Sequence, residues 1–220
     1  LVWSGDIHST FESLQNQFSA GLNMGIAGIP WWTTDIGGFF GANIYDESYH
    51  EVFVRWFEYG AFCPVMRLHG YRMPYQPQFG TTGGAECVSG APNEIWSYGD
   101  QVYEICKKYI TIRETMRPYT RELMKAAHEK GTPVMRPLFY DFPEDAVCWD
   151  NEKEFMYGPD ILVAPVMERG EKTKEVYLPA GTRWTNVWTK EAFDGGQTVT
   201  VATPLDQIPL FTREGYTLEV

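Results

Sequence analysis

The chain has 220 residues, 44% of them hydrophobic and 21% charged, an ordinary globular mix that excludes disorder as a description of the whole. The net charge is −11, with the acid excess shared by both halves, so the composition offers neither the basic surface that nucleic acid needs nor one suited to anionic lipid. A neutral substrate such as a sugar fits this balance, and the 15% of aromatic side chains supplies flat rings that either fill cores or stack on planar ligands.

No apolar run reaches the roughly 18 residues of a membrane-crossing helix. The four cysteines, Cys63, Cys87, Cys106 and Cys148, form no CxxC pair. They read as free and mostly buried thiols, and no metal site is expected.

Leu1–Val2–Trp3 is apolar and β-prone and stops at Ser4-Gly5-Asp6. Because the sequence opens inside a strand, at Leu rather than Met, it is expected to belong to a longer protein. Ser9 and Thr10 offer helix caps, and Phe11, Leu14, Phe18 and Leu22 recur at helical spacing, which predicts a helix over 11–24 ended by Gly25 and Gly28. The apolar stretch 26–32 leads into Thr33-Thr34-Asp35 and the pair Gly37-Gly38. A second helix begins at Asp46 with Val52, Trp56, Tyr59 and Phe62 on one face. A third strand, 64–68, ends at His69-Gly70. Strand, polar end and helix thus repeat, as in parallel βα units. The carboxyl ends of such strands carry the active site in α/β barrels, so Asp6, Asp35 and His69 occupy equivalent candidate positions.

Residues 71–98 are rich in Gly, Pro and Gln and predict a long loop. Residues 100–129 predict one long helix, kinked at Pro118 and stopped by Gly131. Beyond Pro133 the texture changes to short β-prone pieces at 133–140, 161–166, 175–178, 184–188, 198–201 and 208–212, separated by turn residues. Such spacing predicts an antiparallel sandwich. The expected division is therefore an α/β domain over 1–142 and a small all-β domain over 143–220.

The motif Trp3-Ser4-Gly5-Asp6 sets an indole near a strand-end carboxylate. A carboxyl group desolvated by a ring holds its proton toward neutrality, as a general acid must. Trp31-Trp32-Thr33-Thr34-Asp35-Ile36-Gly37-Gly38-Phe39 adds two indoles, a second carboxylate and a flexible pair bounded by Phe39. Arg67-Leu68-His69-Gly70 adds donors at the third strand end. Such rings can stack on a pyranose while carboxylates accept from its hydroxyls, as in a sugar site; the alternative for the two indoles is a core Trp pair.

These motifs resemble the carboxyl-terminal half of glycoside hydrolase family 31, the α-glucosidase and α-xylosidase family. The resemblance continues through Arg113-Glu114-Thr115-Met116-Arg117-Pro118-Tyr119, Gly131-Thr132-Pro133-Val134-Met135-Arg136-Pro137, Phe155-Met156-Tyr157-Gly158-Pro159, Tyr177-Leu178-Pro179-Ala180-Gly181 and Ile208-Pro209-Leu210-Phe211. It implies the last βα units of a (β/α)8 barrel followed by the proximal β-sandwich. It also implies retaining cleavage of terminal α-linked xylose or glucose through a covalent glycosyl-enzyme intermediate, with no cofactor. By resemblance Asp6 is the general acid/base, Trp3, Trp32, Asp35, Phe39, Arg67 and His69 bind substrate, and the nucleophile has no counterpart in this chain. The 220 residues alone are accordingly expected to lack turnover. The segment from Trp32 to Gly38 is more similar to the α-xylosidase members. Transglycosylase and lyase chemistries also occur in the family.

A different class of reading is a non-catalytic carbohydrate-binding module in 143–220. It would present Trp184 and Trp188, whose strand spacing places them on one face. The accessibility of those two indoles discriminates it. The sequence carries no signal for oligomeric state or compartment.

Overall fold

A computed structural model describes all 220 residues. The chain opens with β1 (Val2–Trp3), followed by the helix α1 (Phe11–Ile26). Thr10 caps α1 by accepting from the Ser13 backbone N–H at 3.1 Å. β2 (Trp32–Thr33) lies parallel to β1, in the register Val2 to Trp32 and Trp3 to Thr33. The helix α2 (Glu47–Gly60) starts at Asp46, whose carboxylate accepts from the Ser48 N–H, and is buried almost throughout. Residues 64–68 are not a regular strand. They nevertheless run beside β2 in the same direction, with Val65 N–H donating to Trp32 O at 3.1 Å and Ile36 N–H to Arg67 O. Three chain segments therefore leave their carboxyl ends on one side, carrying Asp6, Asp35 and Arg67–His69. The parallel part of this chain does not close into a complete barrel, and β1 has no second neighbour.

The expected long loop holds structure of its own. The hairpin-like pair β3 (Arg72–Gln76) and β4 (Ser89–Ala91) is antiparallel, with short 3₁₀ turns at Gly83–Glu86 and Ile95–Tyr98. The expected single helix is two, α3 (Asp100–Thr115) and α4 (Arg117–Lys130), broken at Met116. Pro118 lies in the first turn of α4, where its missing N–H costs no hydrogen bond. Gly131, at φ 71°, ends α4 in the left-handed conformation.

The second half is a six-stranded antiparallel sheet built from β5 (Met135–Pro137), β6 (Phe155–Tyr157), β7 (Ile161–Val163), β9 (Arg183–Asn186), β10 (Ala192–Asp194) and β12 (Leu210–Arg213), in the order β10-β9-β12-β7-β6-β5. A second antiparallel pair, β8 (Thr173–Leu178) with β11 (Gln197–Ala202), completes the other layer. The short helix α5 (Leu138–Asp141) follows β5. Between the layers Leu138, Met156, Leu162, Val176, Leu178, Trp184 and Phe211 form a closed apolar cluster. The expected boundary at 142/143 meets a difference here. β5 lies before it yet pairs with β6 through Met135–Tyr157 and Pro137–Phe155, so hydrogen bonding ties β5 to the second sheet. A division at Gly131 agrees better with these pairings.

The larger apolar cluster runs from Leu14 through Phe53, Tyr109 and Val134 to Phe155 and Ile208, so the two halves share one core. Polar contacts reinforce the junction. Gln15 donates to Met167 O, Arg55 to Thr203 O at 2.7 Å, Lys108 to Asp206, and Arg113 to the Tyr157 hydroxyl. Cys63, Cys106 and Cys148 are buried and Cys87 is exposed; all are free. No helix is long and apolar enough to cross a membrane.

Candidate active site

The strand ends bring a compact group together. Asp35 is fully buried and forms an ion pair with Arg67 Nη2 through Oδ1. Its backbone N–H donates to Ser4 Oγ at 3.2 Å, which ties the end of β2 to the turn after β1. Ser4 Oγ also accepts from Thr34 Oγ1, and the Trp56 indole N–H donates to Thr34 Oγ1 at 3.2 Å. Burial raises the Asp35 pKa, Arg67, His69 and Arg72 oppose that rise, and the negative charge of Asp6 adds to it. Asp6, Asp35, Arg67 and His69 thus share one electrostatic neighbourhood. Asp35 Oδ2 is buried and has no hydrogen-bond partner in the chain.

Phe39 joins this group from the loop after β2. Its ring lies 5.4 Å from the His69 ring and 4.5 Å from that of Phe40, centroid to centroid. The backbone stitches the three loops in order. Phe39 N–H donates to Ile7 O at 2.7 Å, and Tyr71 N–H to Phe39 O at 2.8 Å. The Phe39 loop is therefore the middle rung between the Asp6 loop and the His69 loop.

Asp6 itself is exposed, and Trp3 is 54% exposed. The expected desolvation of Asp6 by Trp3 is not seen in residues 1–220, in which β1 pairs with β2 alone.

Trp32 does not belong to the group. It is 3% exposed and packs against α1, where a Cβ on Gly21 would meet its indole nitrogen at 2.8 Å. The expected substrate contact is corrected to a core position on the helix side of β2. Strand alternation accounts for this: Trp32 and Asp35 are three residues apart and point to opposite faces. Trp31, by contrast, is 39% exposed beside Leu1 and Pro30.

Arg72 is the residue that motif reading passes over. Its buried guanidinium donates to the carbonyls of Ile36, Gly38 and Phe39. Nothing local predicts this, because the partners lie more than thirty residues upstream. The faint signal is the neighbouring Gly70, which leaves room for the side chain.

No cluster of His, Cys, Asp and Glu suited to a metal ion is present. A hollow of about 640 Å³ lined by Glu154, Glu171, Lys174 and Tyr177 sits on the second sheet domain and shares no residue with the strand-end group.

Two family models match the chain: the glycosyl hydrolases family 31 TIM-barrel domain over residues 1–123 and the glycosyl hydrolase family 31 C-terminal domain over 131–218. An alpha-xylosidase of Saccharolobus solfataricus is 39% identical over 218 residues, 99% of this chain and 27% of that protein. Alpha-glucosidase 2 of Bacillus thermoamyloliquefaciens is 33% identical over 97% of this chain and 24% of its own length. The crystal structure of a family 31 alpha-xylosidase from a soil metagenome, complexed with xylose, superposes with a TM-score of 0.95 at 53% identity. That match covers 99% of this chain and 32% of the other. The chain thus spans about a quarter to a third of the relatives it matches.

Proposed function

The chain belongs to glycosyl hydrolase family 31, and on that premise we propose that the intact protein is a retaining α-glycosidase acting on terminal α-linked xylose or glucose, with xylose favoured. The observation that carries the proposal is the grouping of Asp6, Asp35, Arg67 and His69 at adjoining parallel strand ends. Asp6 is the general acid/base. Its proton passes to the glycosidic oxygen as the bond to C1 breaks, and a carboxylate outside residues 1–220 captures C1. Asp6, now ionised, takes a proton from water as that water attacks C1 and releases the carboxylate.

Asp35, ion-paired with Arg67 through Oδ1, has its unpartnered Oδ2 to offer a sugar hydroxyl. Arg67 and His69 donate to neighbouring hydroxyls. Phe39 and Trp3 present apolar surface to the ring, and Trp32 has no part in binding. A xylose preference draws on the similarity of the 32–38 segment to the α-xylosidases and on the two xylosidase relatives.

The binding-module reading lacks its platform. Trp184 is fully buried, and the Trp188 indole N–H donates to Ile208 O at 2.6 Å while Lys108 sits 4.3 Å from its ring. Kinetics of the intact protein on aryl α-xylosides and aryl α-glucosides test the proposal. Turnover with a larger kcat/KM on the xyloside is expected. Turnover of neither substrate would refute α-glycosidase activity, and a larger value on the glucoside would refute the sugar preference.

A further inference from the structure

We infer that Arg72 is a positioning residue of this site, its guanidinium fixing the loop that follows Asp35 and carries Phe39. The inference deepens the glycosidase reading and rests on it. The Arg72 side chain is fully buried. Nη1 donates to Gly38 O at 2.7 Å and to Phe39 O at 3.3 Å, and Nη2 donates to Ile36 O at 3.0 Å. Nε faces the other way, donating to Asn93 Oδ1 at 3.1 Å and to the Tyr98 hydroxyl at 3.0 Å. The guanidinium carbon lies 5.5 Å from the Tyr49 ring, and the Tyr49 hydroxyl itself donates to Gly37 O at 2.9 Å. Two side chains thus hold four consecutive carbonyls, from Ile36 to Phe39.

This cation makes no contact ion pair, and Asp35 acts on it only at longer range. Burying a charge without a counter-ion is costly, so an arginine used only to fill this space would be a poor choice. What it does supply is a rigid planar fork of donors matched to several carbonyls at once, which an ammonium group cannot reproduce.

Gly70 makes room for it, since a Cβ there would run into the guanidinium, whereas one on Gly37 would meet the Tyr49 hydroxyl at 2.5 Å before Nη2 at 3.0 Å. Gly70 has no left-handed φ, so its missing side chain answers to the guanidinium rather than to a turn.

The loop so held is the middle rung of the site. It is bonded to Ile7 beside Asp6 on one side and to Tyr71 beside His69 on the other. Drift of this rung displaces Phe39 directly and loosens the loops that present the two carboxylates. A shift of about 1 Å at such a distance from the chemistry costs about 100-fold in rate.

The test uses the intact protein and its kinetics on an aryl α-glycoside. Arg72→Ala is expected to lower kcat/KM by about 100-fold, Arg72→Lys to recover little of it, and millimolar guanidinium, but not ammonium, to restore part of the Arg72→Ala loss. Gly70→Ala is expected to cause a similar loss alone and no further loss on top of Arg72→Ala, because both changes displace the same group. Full activity in soluble Arg72→Ala overturns the inference. So does a Gly70→Ala loss that persists undiminished beside Arg72→Ala with no response to guanidinium. If Arg72→Ala does not fold, a folded and fully active Gly70→Ala overturns it instead. A wild-type protein that turns over no α-glycoside sinks the glycosidase reading, whereas an active wild type with an unimpaired Arg72→Ala sinks this inference alone.

Discussion

Trp3 and Trp32 are partners by one register step in the same parallel pair, yet they meet opposite environments. Trp3 pairs with Thr33 and shares a face with it, and is half-exposed at the open edge; Trp32 pairs with Val2 and is sealed under α1. Trp32→Ala in the intact protein should therefore lower stability by about 3–5 kcal/mol, the cost of a large cavity in a packed core. Trp3→Ala should act chiefly on kcat/KM. Denaturation curves beside kinetics separate the two, and a Trp32→Ala protein of unchanged stability with weakened sugar binding would reverse the assignment.

Much of this scale was legible in the sequence. Asp6, Asp35 and His69 stood out because each ends an apolar run in a polar residue. The placement of Trp32 was also within reach, since an odd separation from Asp35 sets the two side chains on opposite faces. Arg72 was out of reach, because its role is defined by main-chain carbonyls that only the folded chain brings near it.

At the scale of elements, α2 shows how a buried charge makes the junction sensitive to pH. Glu58 has no exposed surface; Arg55 Nη1 donates to its Oε2 at 3.0 Å, and the same guanidinium reaches Thr203 O and Pro204 O across the junction. Burial pushes the Glu58 carboxyl from 4.5 up to about 7, against the attraction of Arg55 and the weaker one of Lys108. The folded chain then binds more protons than the unfolded chain between those two values, so stability is greatest below the window and falls as pH rises through it. Glu154, buried beneath β8 and likewise raised to about 7, contributes in the same direction. Glu58→Gln keeps an acceptor for Arg55 and removes one of the two titrations. The fall in urea midpoint between about pH 5 and about pH 7.5 should be shallower in this variant than in the wild type. Parallel curves would show that Glu58 does not titrate in that range.

Element boundaries were less legible than element types. The helices α1 and α2 announce themselves by caps and apolar periodicity. The break at Met116 was hidden because Pro118 is compatible both with a kink and with the first turn of a new helix. β6 and β10 are three residues each, too short to show an alternation.

Over the whole molecule, the shared core and the contacts from Arg55, Lys108 and Arg113 fix the sheet domain behind the parallel segments. Within these residues β1 pairs with β2 alone. The change of texture after Pro133 made the two-part organisation legible. The exact seam was not, because β5 follows α4 without a loop long enough to mark it and is assigned only by its pairing with β6.

The central claim is that Asp6 is the acid/base of a retaining α-glycosidase, and it is tested most directly by Asp6→Ala in the intact protein. Kinetics are measured on a natural disaccharide and on an aryl glycoside of an acidic phenol, each with and without azide. A general acid matters most for a poor leaving group, so the disaccharide should lose about 100- to 10,000-fold in kcat/KM and the activated aryl glycoside much less. Azide needs no base, so it should restore turnover and yield a glycosyl azide of retained configuration. Equal losses on both substrates with no response to azide would contradict the account and make Asp6 a binding or structural carboxylate.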